Sequence, residues 1–113
     1  MRLKTALWVA AYLRRCQVAG LSAVVRRRGA EEAGAIFVRI CRLDGTSDLY
    51  GPAPQSMLEP DAGDRVFTAC LRSQPAPDAD VEAYLARESK FDSDLWIVEV
   101  EDPAGGNFLD LAR

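Results

Sequence analysis

The chain has 113 residues, 49% of them hydrophobic and 27% charged, with a formal net charge of −3 and no histidine. Such a length and mix predict one globular domain over 1–113; residues from about 103 onward are expected as a flexible tail, with docking through Phe108, Leu109 and Leu111 as the alternative. Without histidine, Ser-His-Asp and Cys-His nucleophilic machinery and HExxH zinc sites are excluded, and no catalytic, metal or cofactor site is expected.

In chain order, the first predicted element is a helix from about Thr5 to Ala19, with Gly20 placed to end it. Its start, "MRLKTALWVAAYLRRC", has a basic end and a short apolar run. Arg14 and Arg15 follow at once, however, and no A-x-A site does, so neither secretion nor a membrane segment is expected. Ala6, Val9, Leu13 and Cys16 share one face. Trp8 and Tyr12 fall on another, one turn apart, and predict a contact between two copies of the chain, a homodimer built through this helix; the alternative is that the C-terminal "NFLDLAR" folds back over them and leaves a monomer.

Residues 21–28 then read as a strand, on the β-branched pair Val24-Val25. "GAEEAG" (29–34) reads as a glycine-bounded hairpin turn into a second strand over 35–43, where Ile36, Val38 and Ile40 share a face and Arg39 points the other way. Asp44-Gly45 is a hairpin signal, and a short strand returns over 48–50 until the prolines of "GPAP" stop it. A loop, "QSMLEPDAGD", leads to a strand over 65–71. "RSQPAPDAD" reads as a linker. A second helix, capped by Asp78 or Asp80, runs to about Lys90. The last strand, in "DLWIVEVED", is apolar on both faces over 95–98 and so belongs inside the sheet. The resulting class is α+β: a mainly antiparallel sheet of about five strands with two helices, in the order α-β-β-β-β-α-β. Val9, Leu13, Val25, Ile36, Val38, Ile40, Phe67, Leu85, Trp96 and Val98 are the expected core.

Arg27, Glu31, Glu32 and Gly34 match fragments of a Nudix box, but the upstream glycine and glutamate positions hold Leu13 and Ala19. The two glycines are also too close for the helix that would aim the glutamates at magnesium, so the segment reads as a turn. The element order resembles restriction-endonuclease-like nucleases, yet the one E-x-K, Glu88-Ser89-Lys90, falls on a helix, and Asp44 and Asp48 read as turn residues. Glu99 and Glu101 share a strand face, which would suit a carboxylate-based, metal-dependent hydrolase. The plainer reading is the polar face of a strand.

Charge is unevenly spread. Residues 1–42 hold nine Lys/Arg and two Glu, a formal +7; residues 43–113 hold five Lys/Arg and fifteen Asp/Glu, a formal −10. Either the halves neutralise each other, strand arginines meeting Glu99 and Glu101, or Arg14, Arg15, Arg26, Arg27 and Arg28 form a site for an anion or an acidic partner. Nucleic acid is the less favoured partner, given the acidic total and few exposed-looking aromatics.

The three cysteines, Cys16, Cys41 and Cys70, are odd in number and scattered through apolar settings, which predicts free thiols in a reducing cytoplasm. Together "ALWVAAYLRRC", "VVRRRGAEEAGAIFV", "DLYGPAP" and "DLWIVEVED" resemble a small alphaproteobacterial protein family of unknown function, over essentially the whole chain. That resemblance implies a bacterial, cytoplasmic protein of one domain and carries no activity. The functional expectation is a non-enzymatic interaction or accessory protein acting as a homodimer or through a protein partner.

Overall fold

The computed structural model describes residues 3–54 and 65–112. Its elements are α1 (Thr5–Val18), β1 (Ser22–Arg27), β2 (Ile36–Cys41), β3 (Thr46–Pro52), β4 (Phe67–Ala69), β5 (Ala76–Pro77), α2 (Asp78–Phe91) and β6 (Trp96–Glu101). The strands form one six-stranded sheet in the order β1-β6-β2-β3-β4, with β5 beside β3. The α+β class stands, with one strand more than expected. That strand, β5, lies in the presumed linker, where two residues pair with Thr46 and Ser47. The loop expected over 55–64 lies outside the described residues.

Interior placement of β6 decides the topology. It runs antiparallel to β1 and parallel to β2. Its alternation serves both faces: Trp96, Val98 and Val100 pack with Ile36, Val38 and Ile40 beneath α1, while Leu95 and Ile97 pack with Phe37, Leu49, Val81 and Leu85 beneath α2. Two helices on opposite faces thus close two apolar layers over one sheet. Of the ten expected core residues, eight are buried, and Leu13 and Val25 are partly so.

Because β6 separates β1 from β2, "GAEEAG" is not a hairpin. The segment instead crosses the start of β6. Ala30 N–H donates to the Asp94 carbonyl at 2.8 Å. A Cβ on Gly29 would come within 2.1 Å of the Asp94 carbonyl oxygen, and one on Gly34 within 2.3 Å of the same atom. Glycine at both ends is therefore a matter of space rather than of turn conformation. Past the crossing, the Glu31 and Glu32 carbonyls accept the Ala6 and Thr5 N–H groups at 2.9 and 3.1 Å, and the buried Thr5 hydroxyl donates to the Gly34 carbonyl at 3.0 Å. The segment satisfies orphan donors at the first turn of α1, where Lys4 supplies no side-chain cap. Glu31 and Glu32 themselves point to solvent.

Two local readings are corrected. Neither Asp78 nor Asp80 caps α2; the N-cap is Pro77, and Asp78 instead accepts the Ser47 hydroxyl at 2.7 Å. Asp48 is not a turn residue but lies buried within β3. Gly20 ends α1 at φ +85°, as a C′ glycine does.

Candidate interaction surface

The inward face of α1 is Thr5, Val9, Tyr12 and Cys16. Tyr12 therefore belongs to the core face and not to a second one. Its ring stacks on Trp8 with centroids 5.0 Å apart, and Trp8 meets Phe67 at 5.3 Å. The Tyr12 hydroxyl donates to the Asn107 carbonyl at 2.7 Å. The closing segment supplies the rest of the cover: Phe67 N–H donates to the Asp110 carbonyl, Ala112 N–H to the Phe67 carbonyl, and Arg15 lies over the Phe108 ring. Trp8 and Tyr12 thus find cover inside the chain, which removes the geometric motive for placing them between two subunits.

The opposite side of α1 is the side left to solvent. Leu7 is 58% and Val18 79% exposed, and Leu3, just before the helix, is 48% exposed. Ala10, Ala11 and Arg14 are exposed between them. Leu7, Ala10, Ala11, Arg14 and Val18 recur at three- and four-residue intervals, which places them on one stripe. The run of apolar letters through α1 concealed this second stripe; a helical projection centred on Thr5, Val9 and Cys16 would have separated it.

The five arginines expected at an anion site do not converge. Arg26 lies on the α2 side, where its Nη1 and Nη2 meet the Glu82 carboxylate at 2.6 and 2.7 Å and Nη1 meets Glu99 at 3.0 Å. Arg27 donates to the Leu95 and Ser93 carbonyls at 2.6 and 3.1 Å. Arg28 lies over the Trp96 ring, Arg15 over Phe108, and Arg14 on the outward stripe of α1.

Under α2, charges from both halves of the chain meet as the neutralisation reading expects, with Glu82 and Asp78 as the partners it missed. Arg39, buried on β2, donates from Nε to the Ser47 hydroxyl at 3.0 Å. Its Nη1 reaches Glu82, and Glu99 at 3.1 Å, while Nη2 pairs with Asp78 at 3.0 Å. A buried guanidinium is tolerable only when so fully paired. The Arg26 hydrogen bonds hold the Glu82 carboxyl below its usual range. Glu99 is thereby committed to the two arginines, while Glu101 points to solvent. The network joins α2 to β1, β2, β3 and β6. Glu88-Ser89-Lys90 lies on α2, as expected. Among the described residues, no three cysteine, aspartate or glutamate side chains are grouped to hold a metal ion.

All three cysteines are free thiols. Burial pushes the Cys70 thiol up to about 12, and burial likewise raises the Tyr84 phenol beside it. Folding therefore favours the neutral thiol. Its contribution to stability is complete below the ordinary thiol value near 9 and is lost as pH rises from there through about 12. The urea midpoint should fall across that alkaline window, and fall less in Cys70→Ala. A midpoint flat with pH, or an equal fall in the variant, would contradict this assignment.

Among the described residues, no helix is long and apolar enough to cross a membrane. A family model described as "Protein of unknown function (DUF1491)" matches residues 3–110. The fold resembles a DUF1491 family protein from Caulobacter crescentus solved by crystallography, 34% identical, with all of both chains covered and a TM-score of 0.81. An NMR structure of a DUF1491 family protein from the same organism is 36% identical over 100% of this chain and 99% of that one, with a TM-score of 0.79. A solution structure of a protein from A. tumefaciens is 45% identical over 98% of this chain and 95% of that one, with a TM-score of 0.80. No curated protein matches. The model match and these identities over nearly whole chains place the protein in the uncharacterised DUF1491 family.

Proposed function

We propose that the chain is a non-enzymatic interaction protein that acts as a homodimer through the outward face of α1. The observation that carries this reading is the exposed apolar stripe of Leu3, Leu7 and Val18, opposite the buried face of the same helix. A helix apolar on two opposed sides commonly has a second partner for the outer one. Ala10 and Ala11 stand at the middle of the stripe, where small side chains let two helices approach closely. In an antiparallel pair centred there, Leu7 faces the aliphatic stem of Arg14 from the other copy, and Leu3 faces Val18. The two Arg14 charges then lie apart, on either side of the symmetry axis. The convergent charges elsewhere support the same reading, since Arg26, Arg39, Glu82 and Glu99 hold α2 to the sheet.

Sedimentation equilibrium of wild type and of Leu7→Glu/Val18→Glu tests the proposal. Both positions are exposed, so the variant should remain folded. The wild type is expected as a dimer at micromolar concentrations and the variant as a monomer. A wild-type monomer, or a variant that dimerises as tightly as wild type, would refute it.

A further inference from the structure

Arg42 follows β2 and is held on two sides. Its Nε donates at 2.8 Å to Oδ2 of Asp48, whose side chain is only 4% exposed. Against the guanidinium lies a turn built on Asp102, whose carboxylate accepts the Ala104 and Gly106 N–H groups at 2.9 and 3.0 Å. Gly105 in that turn has φ +78°, and a Cβ there would come within 2.4 Å of Arg42 Nη2. A guanidinium anchored through Nε, with no ion pair at Nη1 or Nη2 among the described residues, is an oriented fork of donors.

Arg42 is among the residues that line an open cleft of about 510 Å³ between β3, β4 and the closing segment. The other lining groups that matter are Asp48, Tyr50, Thr68, Arg72 and Gln74. The Asp48 charge is engaged by Arg42. Gln74 Oε1 already accepts the Leu49 and Leu71 N–H groups at 3.1 and 3.2 Å, so its amide nitrogen remains to donate. Arg72 is exposed and, among the described residues, pairs with no carboxylate. The cleft is therefore rich in donors and carries the uncompensated charge of Arg72.

We infer that this cleft binds a small organic anion bearing a compact carboxylate or phosphate, gripped between Arg42 and Arg72 by charge-assisted hydrogen bonds. No arginine of the expected basic cluster takes part, and no residue of α1 lines the cleft, so this site is independent of the proposed dimer.

The test is an NMR titration of labelled protein with inorganic phosphate and, separately, with malonate, at fixed ionic strength. Saturable shifts are expected at the Thr68 amide, the Gln74 side-chain amide and Arg42 Nε–H. Binding should weaken about tenfold in Arg72→Gln, a fold-safe change at an exposed position. Saturation with phosphate alone assigns a phosphorylated ligand; with malonate alone, a carboxylate. No saturable shift with either probe overturns the inference, as do equal affinities in wild type and Arg72→Gln. Arg42→Gln provides a second check: if it stays folded, it should also bind more weakly, and unchanged affinity there would overturn the inference too.

Discussion

Trp96→Ala is expected to destabilise the protein by about 3–5 kcal/mol, the range for removing a fully buried tryptophan. Trp96 is 1% exposed and packs beneath α1 with Ile36, Val38 and Val98. Truncation there leaves a large cavity in a layer that must match both α1 and β2. It also removes the indole N–H bond to the Ala30 carbonyl, 2.8 Å long, which pins the "GAEEAG" crossing to β6, and the platform under Arg28. The loss should therefore spread to the N-terminus of α1, which that crossing caps. Urea denaturation gives the total, and amide exchange gives its distribution. A loss under about 1 kcal/mol would mean the site collapses freely and that the layer is not packed as described.

Arg39→Met is the second large effect. Methionine keeps most of the volume and removes the charge, leaving Glu82 and Glu99 with Arg26 and Asp78 with the Ser47 hydroxyl. Removing one partner of a buried ion pair costs about 3–5 kcal/mol. Glu82 and Asp78 are 42% and 47% exposed, so water relieves part of the penalty. The expectation is then about 2–3 kcal/mol at neutral pH. Its sign with pH follows from Glu82, whose carboxyl is held low by its hydrogen bonds to Arg26. A carboxyl held low in the fold stabilises above its ordinary value and loses that contribution as pH falls through its folded value. The deficit of Arg39→Met should shrink on acidification, because protonated carboxyls need no counter-charge. A deficit that stays constant into the acid range would show that lost packing, not charge, is responsible.

Much of the fold was legible in the sequence because alternation leaves a strong trace. Ile36, Val38 and Ile40 announced one face of β2, and the apolar run from Leu95 announced a strand covered on both sides. What the sequence could not show was which neighbours that strand would take. Insertion of β6 between β1 and β2 is a long-range choice, and it turned an apparent hairpin into a crossing whose glycines answer to Asp94 and Trp96. The two residues of β5 were hidden because Ala76 and Pro77 carry no strand propensity; pairing with Thr46 and Ser47 places them.

The charged and aromatic groups were legible in kind but not in arrangement. Uneven charge along the chain pointed correctly to neutralisation, yet Glu82 and Asp78 sat among ordinary helix acids and gave no sign of reaching Arg39. Asp48 and Gly105 were equally silent. A buried aspartate on a strand looks like a turn residue in the string, and one glycine of a Gly-Gly pair shows nothing of the arginine against it. For Trp8 and Tyr12 the sequence left two covers open, a second copy of the chain or the closing "NFLDLAR", and the closing segment lies against them here.

The outward stripe of α1 remains the centre of the functional reading, and isotope-filtered NOE spectroscopy on a mixed labelled and unlabelled sample tests it most directly. Intermolecular NOEs are expected from the Leu7 methyls to Arg14 and from the Val18 methyls to Leu3, with none from Trp8 or Tyr12. Intermolecular NOEs confined to other surfaces, or none under conditions where the protein sediments as a dimer, would contradict that reading.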